Sequence, residues 1–213
     1  MNNSNLLALP NEVEHLTNLT FVAINDNKLP QLPVGIGKWT KVEKFFCNNN
    51  QITELPPTIG DMELLEKFYC NENKLQGLPE EIGKLQNLTE FYVGKNDIVM
   101  IPEAIGDCKM FGKLYINDNE VTTVPTSLQQ LSNLEILNLN QNQIETVPAE
   151  LVSVTDLKFL HLAGNKITSI PQEYAQFEQL RVFEIQDNPL DESSMELSET
   201  IKSKLVAGWS FST

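Results

Sequence analysis

Residues 65–87, LEKFYCNENKLQGLPEEIGKLQN, contain a pattern that recurs through most of the chain. Apolar residues stand at its first, fourth, sixth and eleventh positions, an asparagine at the ninth and a proline at the fifteenth. The asparagine returns every 23 residues, as Asn27, Asn50, Asn73, Asn96, Asn119, Asn142, Asn165 and Asn188. Because a fixed period of this length is the signature of stacked repeats, we expect a solenoid of eight repeats.

Each position of the repeat has a physical reason. The spacing of Leu65, Phe68 and Cys70 predicts a short strand with alternate side chains facing the core, and such strands stack in parallel at ~4.8 Å. Pro79 forbids a following regular strand and starts a return segment, which Ile82 and Leu85 anchor. A buried asparagine column can satisfy backbone groups at the turn because a carboxamide both donates and accepts. We expect an α/β repeat solenoid, curved, with a concave parallel sheet and irregular or short helical segments on the convex face.

These residues follow the pattern L-x-x-L-x-L-x-x-N-x-L and resemble leucine-rich repeat proteins. The LPxxIG type of second half, at residues 55–60, 78–83 and 101–106, resembles that of the intracellular Ras-group family, and similar repeats occur in bacterial proteins. The pattern departs from that family where the glycine position holds Gln129, Val152 and Ala175. The resemblance implies a horseshoe fold and a protein partner, by analogy a small GTPase, a phosphatase or a signalling scaffold.

The repeats divide the chain into three parts. Residues 1–18 match the second half of a repeat and form a half-repeat or cap, residues 19–190 hold the eight repeats, of which the last is incomplete, and residues 191–213 form a helical cap. The first part is either a native N-terminal cap or a portion of a longer solenoid.

The C-terminal cap has its own signals. Ser193 and Glu196 have the spacing of a capping box that opens a helix, and Gly208 is expected to end it. Leu197, Ile201 and Leu205 share one face of that helix. Together with Trp209 and Phe211 behind them, we expect these residues to cover the last repeat.

Composition excludes several classes of partner. The net charge is −14 and Arg181 is the one arginine, so we expect no nucleic-acid partner. The sequence has no apolar run of the ~20 residues that a membrane span needs and no signal-peptide pattern at its start, so we expect no membrane insertion. Three cysteines cannot all pair within one chain, which favours the reducing cytoplasm. A secreted effector stays open.

The sequence offers little for catalysis. His15 and His161 are the two histidines, they lie in different repeats, and His161 falls at an outward strand position where a solvated side chain is expected. Metal-binding and phosphate-binding motifs are absent. Cys47, Cys70 and Cys108 occupy inward positions and are expected to be free, buried thiols. We therefore expect no enzyme, no metal and no cofactor.

The outward strand positions are the ones that the fold leaves free. The fifth repeat position forms an aromatic ladder ~14 to 15 Å long, followed by two polar residues: Phe46, Tyr69, Tyr92, Tyr115, Asn138 and His161. At the third position, Lys44, Lys67 and Lys113 border the aromatics. Aromatic anchors with polar flanks are typical of protein-binding sites, so we predict a partner on the concave face.

Three alternatives stay open at this point. Aromatic residues also favour strands and stack on neighbouring strands without any ligand. The chain could instead be a microbial effector or the targeting domain of a larger protein. It could also be a structural spacer whose aromatic residues pack against another copy, although we expect a monomer.

Overall fold

One strand from each repeat enters a single parallel sheet. The structure, a computed structural model, describes the backbone of residues 1–209 and the side chains of residues 1–205. The strands are β1 (Phe21–Ala23), β2 (Lys44–Phe46), β3 (Lys67–Tyr69), β4 (Glu90–Tyr92), β5 (Lys113–Tyr115), β6 (Ile136–Asn138), β7 (Phe159–His161) and β8 (Val182–Glu184). Their order in the sheet follows the chain, and each pairs with the next so that equal repeat positions stand side by side.

Eight short 3₁₀ helices return the chain on the opposite side. They are Asn11–His15, Val34–Lys38, Pro57–Asp61, Glu80–Lys84, Glu103–Asp107, Thr126–Gln130, Ala149–Ser153 and Gln172–Gln176, and an α-helix, α1 (Glu192–Trp209), follows β8. A proline precedes each 3₁₀ helix; Pro79, for example, has φ −71° and ψ 149°. The ring fixes φ in this region and removes the N–H that a further strand would need, so the chain enters the 3₁₀ helix at this point. The predicted repeat solenoid is confirmed.

The core is a continuous apolar layer between the sheet and the 3₁₀ helices. In the third repeat the side chains of Leu65, Phe68, Cys70 and Ile82 are fully buried. Phe68 packs between the equivalent phenylalanines of the second and fourth repeats, with ring centroids 5.5 and 5.6 Å apart. Each coil therefore buries its apolar residues against the neighbouring coils, as a solenoid requires. Among the described residues, no helix combines the length and the hydrophobicity that a membrane span requires.

The repeated asparagines bridge consecutive coils. Asn96 Nδ2 lies 2.9 Å from the carbonyl oxygen of Val93 in its own repeat and 3.0 Å from that of Cys70 in the preceding one. Its Oδ1 accepts the Leu75 N–H at 3.0 Å. One carboxamide thus satisfies backbone groups in two turns at once. The other seven asparagines of the column bond in the same way. Asn188 is half-buried, and the remaining six are buried, as Asn96 is: Asn27, Asn50, Asn73, Asn119, Asn142 and Asn165.

The residue before each of these asparagines has a left-handed backbone. The set is Asp26, Asn49, Glu72, Lys95, Asp118, Gln141, Gly164 and Asp187, with φ between 52° and 67°. Left-handed geometry costs an ordinary side chain ~1 kcal/mol or more, yet Glu72, Lys95 and Gln141 adopt it. The hydrogen bonds of the turn therefore outweigh the local preference of these residues.

Glycines set the distance between coils on the convex side. A Cβ atom at Gly83 would lie 2.6 Å from the carbonyl oxygen of Ala104, and one at Gly106 would lie 2.5 Å from that of Ser127. The next coil therefore packs directly on the glycine. Gln129, Val152 and Ala175 replace the glycine in the last repeats, and each has a Cβ atom at this position, so the following coil cannot approach as closely.

Residues 1–6 continue the coil ahead of the first strand. The Met1 amino group donates to the Ala23 carbonyl at 2.9 Å, and the Asn3 N–H donates to that of Asn25 at 3.0 Å. Asn27 Oδ1 accepts the Leu6 N–H at 2.9 Å, the contact that the other column asparagines make, and also the Ser4 N–H at 3.1 Å. The turn of a repeat is therefore formed here, ahead of the 3₁₀ helix.

The cap of α1 differs from the prediction. Asp191 Oδ1 accepts the Ser194 N–H at 2.7 Å and the Ser193 hydroxyl at 3.0 Å, so Asp191 is the N-cap. The predicted capping box of Ser193 and Glu196 is wrong. Both residue types cap helices well, and Asp191 is fixed in place because its N–H donates to the Thr168 carbonyl of the preceding coil at 2.8 Å. The hydrogen bonds with Ser194 lower the pKa of Asp191.

The helix covers the end of the last coil with Leu197 and Ile201, both of which are buried. It continues through Gly208 to Trp209, so the predicted end at Gly208 is wrong. The predicted packing of the Trp209 side chain and of Phe211 lies outside the described residues.

We expect Asn96→Leu to lower the free energy of unfolding by about 3 kcal/mol, because buried backbone groups in two turns lose their partner. Chemical denaturation measures this value. Asn87→Leu is the matched control, since Asn87 is exposed and donates one hydrogen bond, to the Glu63 carbonyl. Equal effects of the two changes would refute the bridging role of the column.

Gly83→Ala should destabilise the fold by about 1 to 3 kcal/mol, because the added Cβ meets the backbone of the next coil. Gly77→Ala should be neutral, since no atom lies within 4 Å of the added carbon. Thermal unfolding of both variants tests the contrast. If Gly83→Ala melts like the wild type, the coils are not in direct contact at this position.

Candidate functional site

Four aromatic side chains stack on the concave sheet. We call Phe46, Tyr69, Tyr92 and Tyr115 the aromatic strip. Neighbouring ring centroids lie 4.5, 4.4 and 4.5 Å apart, and the first three rings are close to parallel, with interplanar angles of 15° and 4°. The in-register strands impose this spacing. All four side chains are half-buried, so the rings pack on one another and still offer surface to a partner.

Phe21 on β1 packs against the first residue of the aromatic strip. The ring of Phe21 contacts that of Phe46 edge to face, with centroids 5.3 Å apart, and Phe21 is 53% exposed. Phe21 stands at the third repeat position, where the next two strands have lysines. Phe21 was not predicted as a site residue, because it stands in the column whose lysines were expected to border the aromatics.

Glu90 organises the lysines beside the strip. Its Oε1 lies 3.0 Å from the Lys67 Nζ and 3.4 Å from the Lys113 Nζ, and its Oε2 accepts a hydrogen bond from the Tyr69 hydroxyl. Two of the three predicted lysines are therefore engaged within the protein. Lys44 is exposed and has no ion pair within residues 1–209. The position of Glu90 among the lysines predicts that it reduces their positive field, but the hydrogen bond from Tyr69 was not predicted.

The contacts around Glu90 also shift the pKa values of Glu90, Tyr69 and Tyr92. Burial raises the pKa of Glu90, but the hydrogen bonds from Tyr69 and Lys67 and the nearby positive charges outweigh it, so the net pKa is lowered. Burial and the Glu90 charge raise the pKa of Tyr69 well above its usual value and that of Tyr92 to about 12. Both phenols are therefore neutral near pH 7 and Glu90 is ionised.

At the fifth repeat position, which holds the aromatic strip on β2 to β5, the strands β6 to β8 have polar residues. His161 Nδ1 lies 2.7 Å from Glu184 Oε2, which also accepts the Asn140 side-chain amide at 2.9 Å. The His161 side chain is 18% exposed, so the expectation of a solvated histidine is wrong: the carboxylate of the next strand holds it. Burial raises the pKa of Glu184, but these contacts lower it overall. Asn138 is half-buried beside them and accepts the Asn140 N–H.

The third repeat position becomes apolar over the last three strands. Ile136, Phe159 and Val182 are adjacent in the sheet register and half-buried. This column was predicted to border the aromatics because of Lys44, Lys67 and Lys113. The chemical change along the column was the signal that could have added these residues to the site.

The cysteines are structural. Cys47, Cys70 and Cys108 are free and fully buried. Burial raises the pKa of Cys108 to about 12, and burial together with Cys70 raises that of Cys47. Such thiols are poor nucleophiles. Over the part of the chain that the structure describes, no group of three or more His, Cys, Asp or Glu residues could hold a metal ion.

Two grooves lie away from the concave sheet, beside the proline turns of the first repeats. Their volumes are about 500 and 580 Å³, and Glu54 and Leu55 line both. Glu54 is the single charged side chain among the residues that line them. The grooves therefore bring together no pair of groups suited to acid–base chemistry.

Comparison with known proteins agrees with the geometry. Residues 112–167 match the family model described as "Leucine rich repeat". The chain has a leucine-rich repeat fold. The match covers β5 to β7 and the two 3₁₀ helices between these strands, and the unmatched repeats share the same sheet register, turn and asparagine bonds. Comparison with curated protein sequences found no match.

Solved leucine-rich repeat structures resemble the chain over most of its length. The crystal structure of PEPR1-AtPEP1 is 28% identical, with a TM-score of 0.67, over 86% of this chain and 30% of that one. A TDR receptor is 22% identical, with a TM-score of 0.81, over 87% of this chain and 34% of that one. The ectodomain of the Arabidopsis thaliana receptor kinase GASSHO1/SCHENGEN3, in complex with CASPARIAN STRIP INTEGRITY FACTOR 2, is 22% identical, with a TM-score of 0.71, over 89% and 27%.

The chain thus spans about a third of the length of these structures. The two matches at 22% identity establish the fold alone. The Ras-group assignment stays a prediction that rests on the LPxxIG pattern.

The lowered pKa of Glu90 predicts a pH-dependent contribution to stability. A carboxyl group with a lower pKa in the folded state stabilises the protein above its unfolded pKa and loses this effect as the pH falls through the folded value. We expect Glu90→Gln to lower the unfolding free energy by about 1 kcal/mol at pH 7 and by progressively less in acid. Urea unfolding between pH 2 and pH 7 measures the difference.

Glu80→Gln is the control, since Glu80 is exposed and makes no ion pair within the described residues. A Glu90→Gln effect that is constant across this pH range would contradict the ionic role of Glu90.

Proposed function

We propose that this chain is a non-enzymatic recognition module that binds another protein on its concave sheet. The observation that carries the proposal is the aromatic strip, four stacked rings that the sheet leaves half-exposed. Aromatic side chains with few rotatable bonds are enriched among residues that dominate binding energy. Their rotation is already restricted by stacking, so a partner that contacts them loses little further entropy.

The electrostatics of the site suit a protein partner. Glu90 neutralises part of the charge of Lys67 and Lys113, so the strip has a polar border with a small excess of positive charge. A site for an anion such as phosphate would leave its cations unpaired. Two of the matched leucine-rich repeat structures, PEPR1-AtPEP1 and the GASSHO1/SCHENGEN3 complex, are also assemblies with a second molecule.

The class of partner and its compartment are part of the proposal. By resemblance to the Ras-group family, the partner is a small GTPase, a phosphatase or a signalling scaffold, and the setting is the cytoplasm. Three free, buried thiols are compatible with a reducing compartment. The chain is expected to act as a monomer, with the concave sheet open to the partner.

Affinity capture from a lysate of the source cell tests the proposal. We expect the double change Tyr69→Ala and Tyr92→Ala to reduce capture of the specific partner at least tenfold. The double variant should also melt a few degrees lower, because two ring contacts and the bond to Glu90 are lost. Capture must therefore be measured well below the melting temperature.

Leu64→Ala is the control, because Leu64 is an apolar side chain, 46% exposed, outside the strands of the sheet. Identical sets of captured proteins from the double variant and the control would refute the concave site.

A further inference from the structure

The two outward columns of the concave sheet exchange their character between β5 and β6. Over β3 to β5 the fifth repeat position is aromatic and the third is charged. Over β6 to β8 the third position is apolar and the fifth is polar. The apolar surface therefore continues across the sheet but shifts by two residues along the strand. We call Tyr69, Tyr92, Tyr115, Ile136, Phe159 and Val182 the diagonal stripe.

The dimensions of the stripe follow from the sheet. Five strand spacings separate Tyr69 from Val182, a distance of about 24 Å at ~4.8 Å each, and the shift by two residues is about 7 Å. An α-helix of about 16 residues has the same length at 1.5 Å per residue. Its apolar face is also one side chain or two wide.

The backbone of the sheet favours a helix over an extended segment. Neighbouring strands are paired throughout β1 to β8, so their peptide groups are already bonded within the sheet. An extended segment lying across the strands would bury peptide groups that find no backbone partner there, which is costly. A helix satisfies its own backbone.

The asparagines beside the strip offer an extended segment little help. Asn48 Oδ1 accepts both the backbone N–H and the side-chain amide of Asn71, at 2.9 Å each. Asn140 donates to Glu184 and accepts the Ala163 N–H at 2.7 Å. These amides are occupied by contacts within the protein, unlike those of a surface that bonds to a ligand backbone.

The flanks of the stripe specify the polar face of the helix. Beside its first half, Lys67 and Lys113 share the carboxylate of Glu90. Lys44, on the neighbouring strand β2, continues the same column and is exposed, so the third position carries more positive than negative charge from β2 to β5. Beside its second half lie Asn138, His161 and Glu184. A helix with acidic residues next to its apolar face complements the lysine side.

We propose that the concave sheet binds an amphipathic α-helix of a partner protein along the diagonal stripe, with acidic residues of that helix facing the lysines. This inference rests on the proposed function and specifies the partner of the same site. Ile136, Phe159 and Val182 then contact the partner, and Asn138 and His161 lie at the edge of the contact.

The test uses a displayed library of 20-residue segments that tile the proteins of the source organism, selected on the full chain. Circular dichroism reports whether each retained peptide becomes helical when bound. Ile136→Ala and Phe159→Ala should each weaken binding at least tenfold, as should Tyr92→Ala. Asn138→Ala and His161→Ala are measured as well, to report on the edge of the contact. The controls are Leu64→Ala and Met100→Ala, at exposed apolar residues outside the strands, which should change the affinity less than threefold. The affinity of each variant is measured well below its melting temperature, so that only folded proteins are compared.

The outcomes separate the two proposals. Peptides that bind in an extended form, or that depend on Tyr92, Asn138 and His161 but not on Ile136 and Phe159, overturn the diagonal helix and leave the concave site standing. Peptides that depend on none of these residues, or a selection that retains no peptide, count against both proposals. Helical peptides that depend on the stripe support them together.

Discussion

The carboxamide of the column asparagine is the interaction on which the rest of the structure depends. Each one bonds to two consecutive turns, so it fixes the coils relative to one another as well as the turn itself. The left-handed residue before it, the strand that precedes it and the proline that follows are thereby placed at constant intervals. Equal repeat positions meet in the sheet because of this constancy, and the aromatic rings stack for the same reason.

The period made the architecture predictable. Strand, turn and return segment each follow from a local feature of the repeat, and the same feature occurs eight times, so chance irregularities in one repeat do not obscure it. The start of α1 was less predictable because Asp191 and Ser193 are equally suitable caps by residue type. A backbone bond from the preceding coil selects Asp191, and such a bond depends on the tertiary structure.

The candidate site was predictable in its columns but not in its contacts. The repeat pattern shows that the fifth position faces outward, and the aromatic strip could be predicted from the residues at that position. Side-chain partners such as Glu90 with Lys67, or His161 with Glu184, depend on rotamers that span two strands, and the repeat pattern does not prescribe them. These pairs reduce the net charge of the face and hold its polar side chains in fixed positions.

The strict register of the strands has a consequence for how such a face can change over time. Because neighbouring coils are joined through the same strand pairing and asparagine bonds, a duplication or deletion of one 23-residue unit preserves these bonds at the new junction. The length of the face would change in steps of ~4.8 Å, one strand at a time. A unit added between β5 and β6 would lengthen the surface without altering either half, so its evolution can proceed in whole modules.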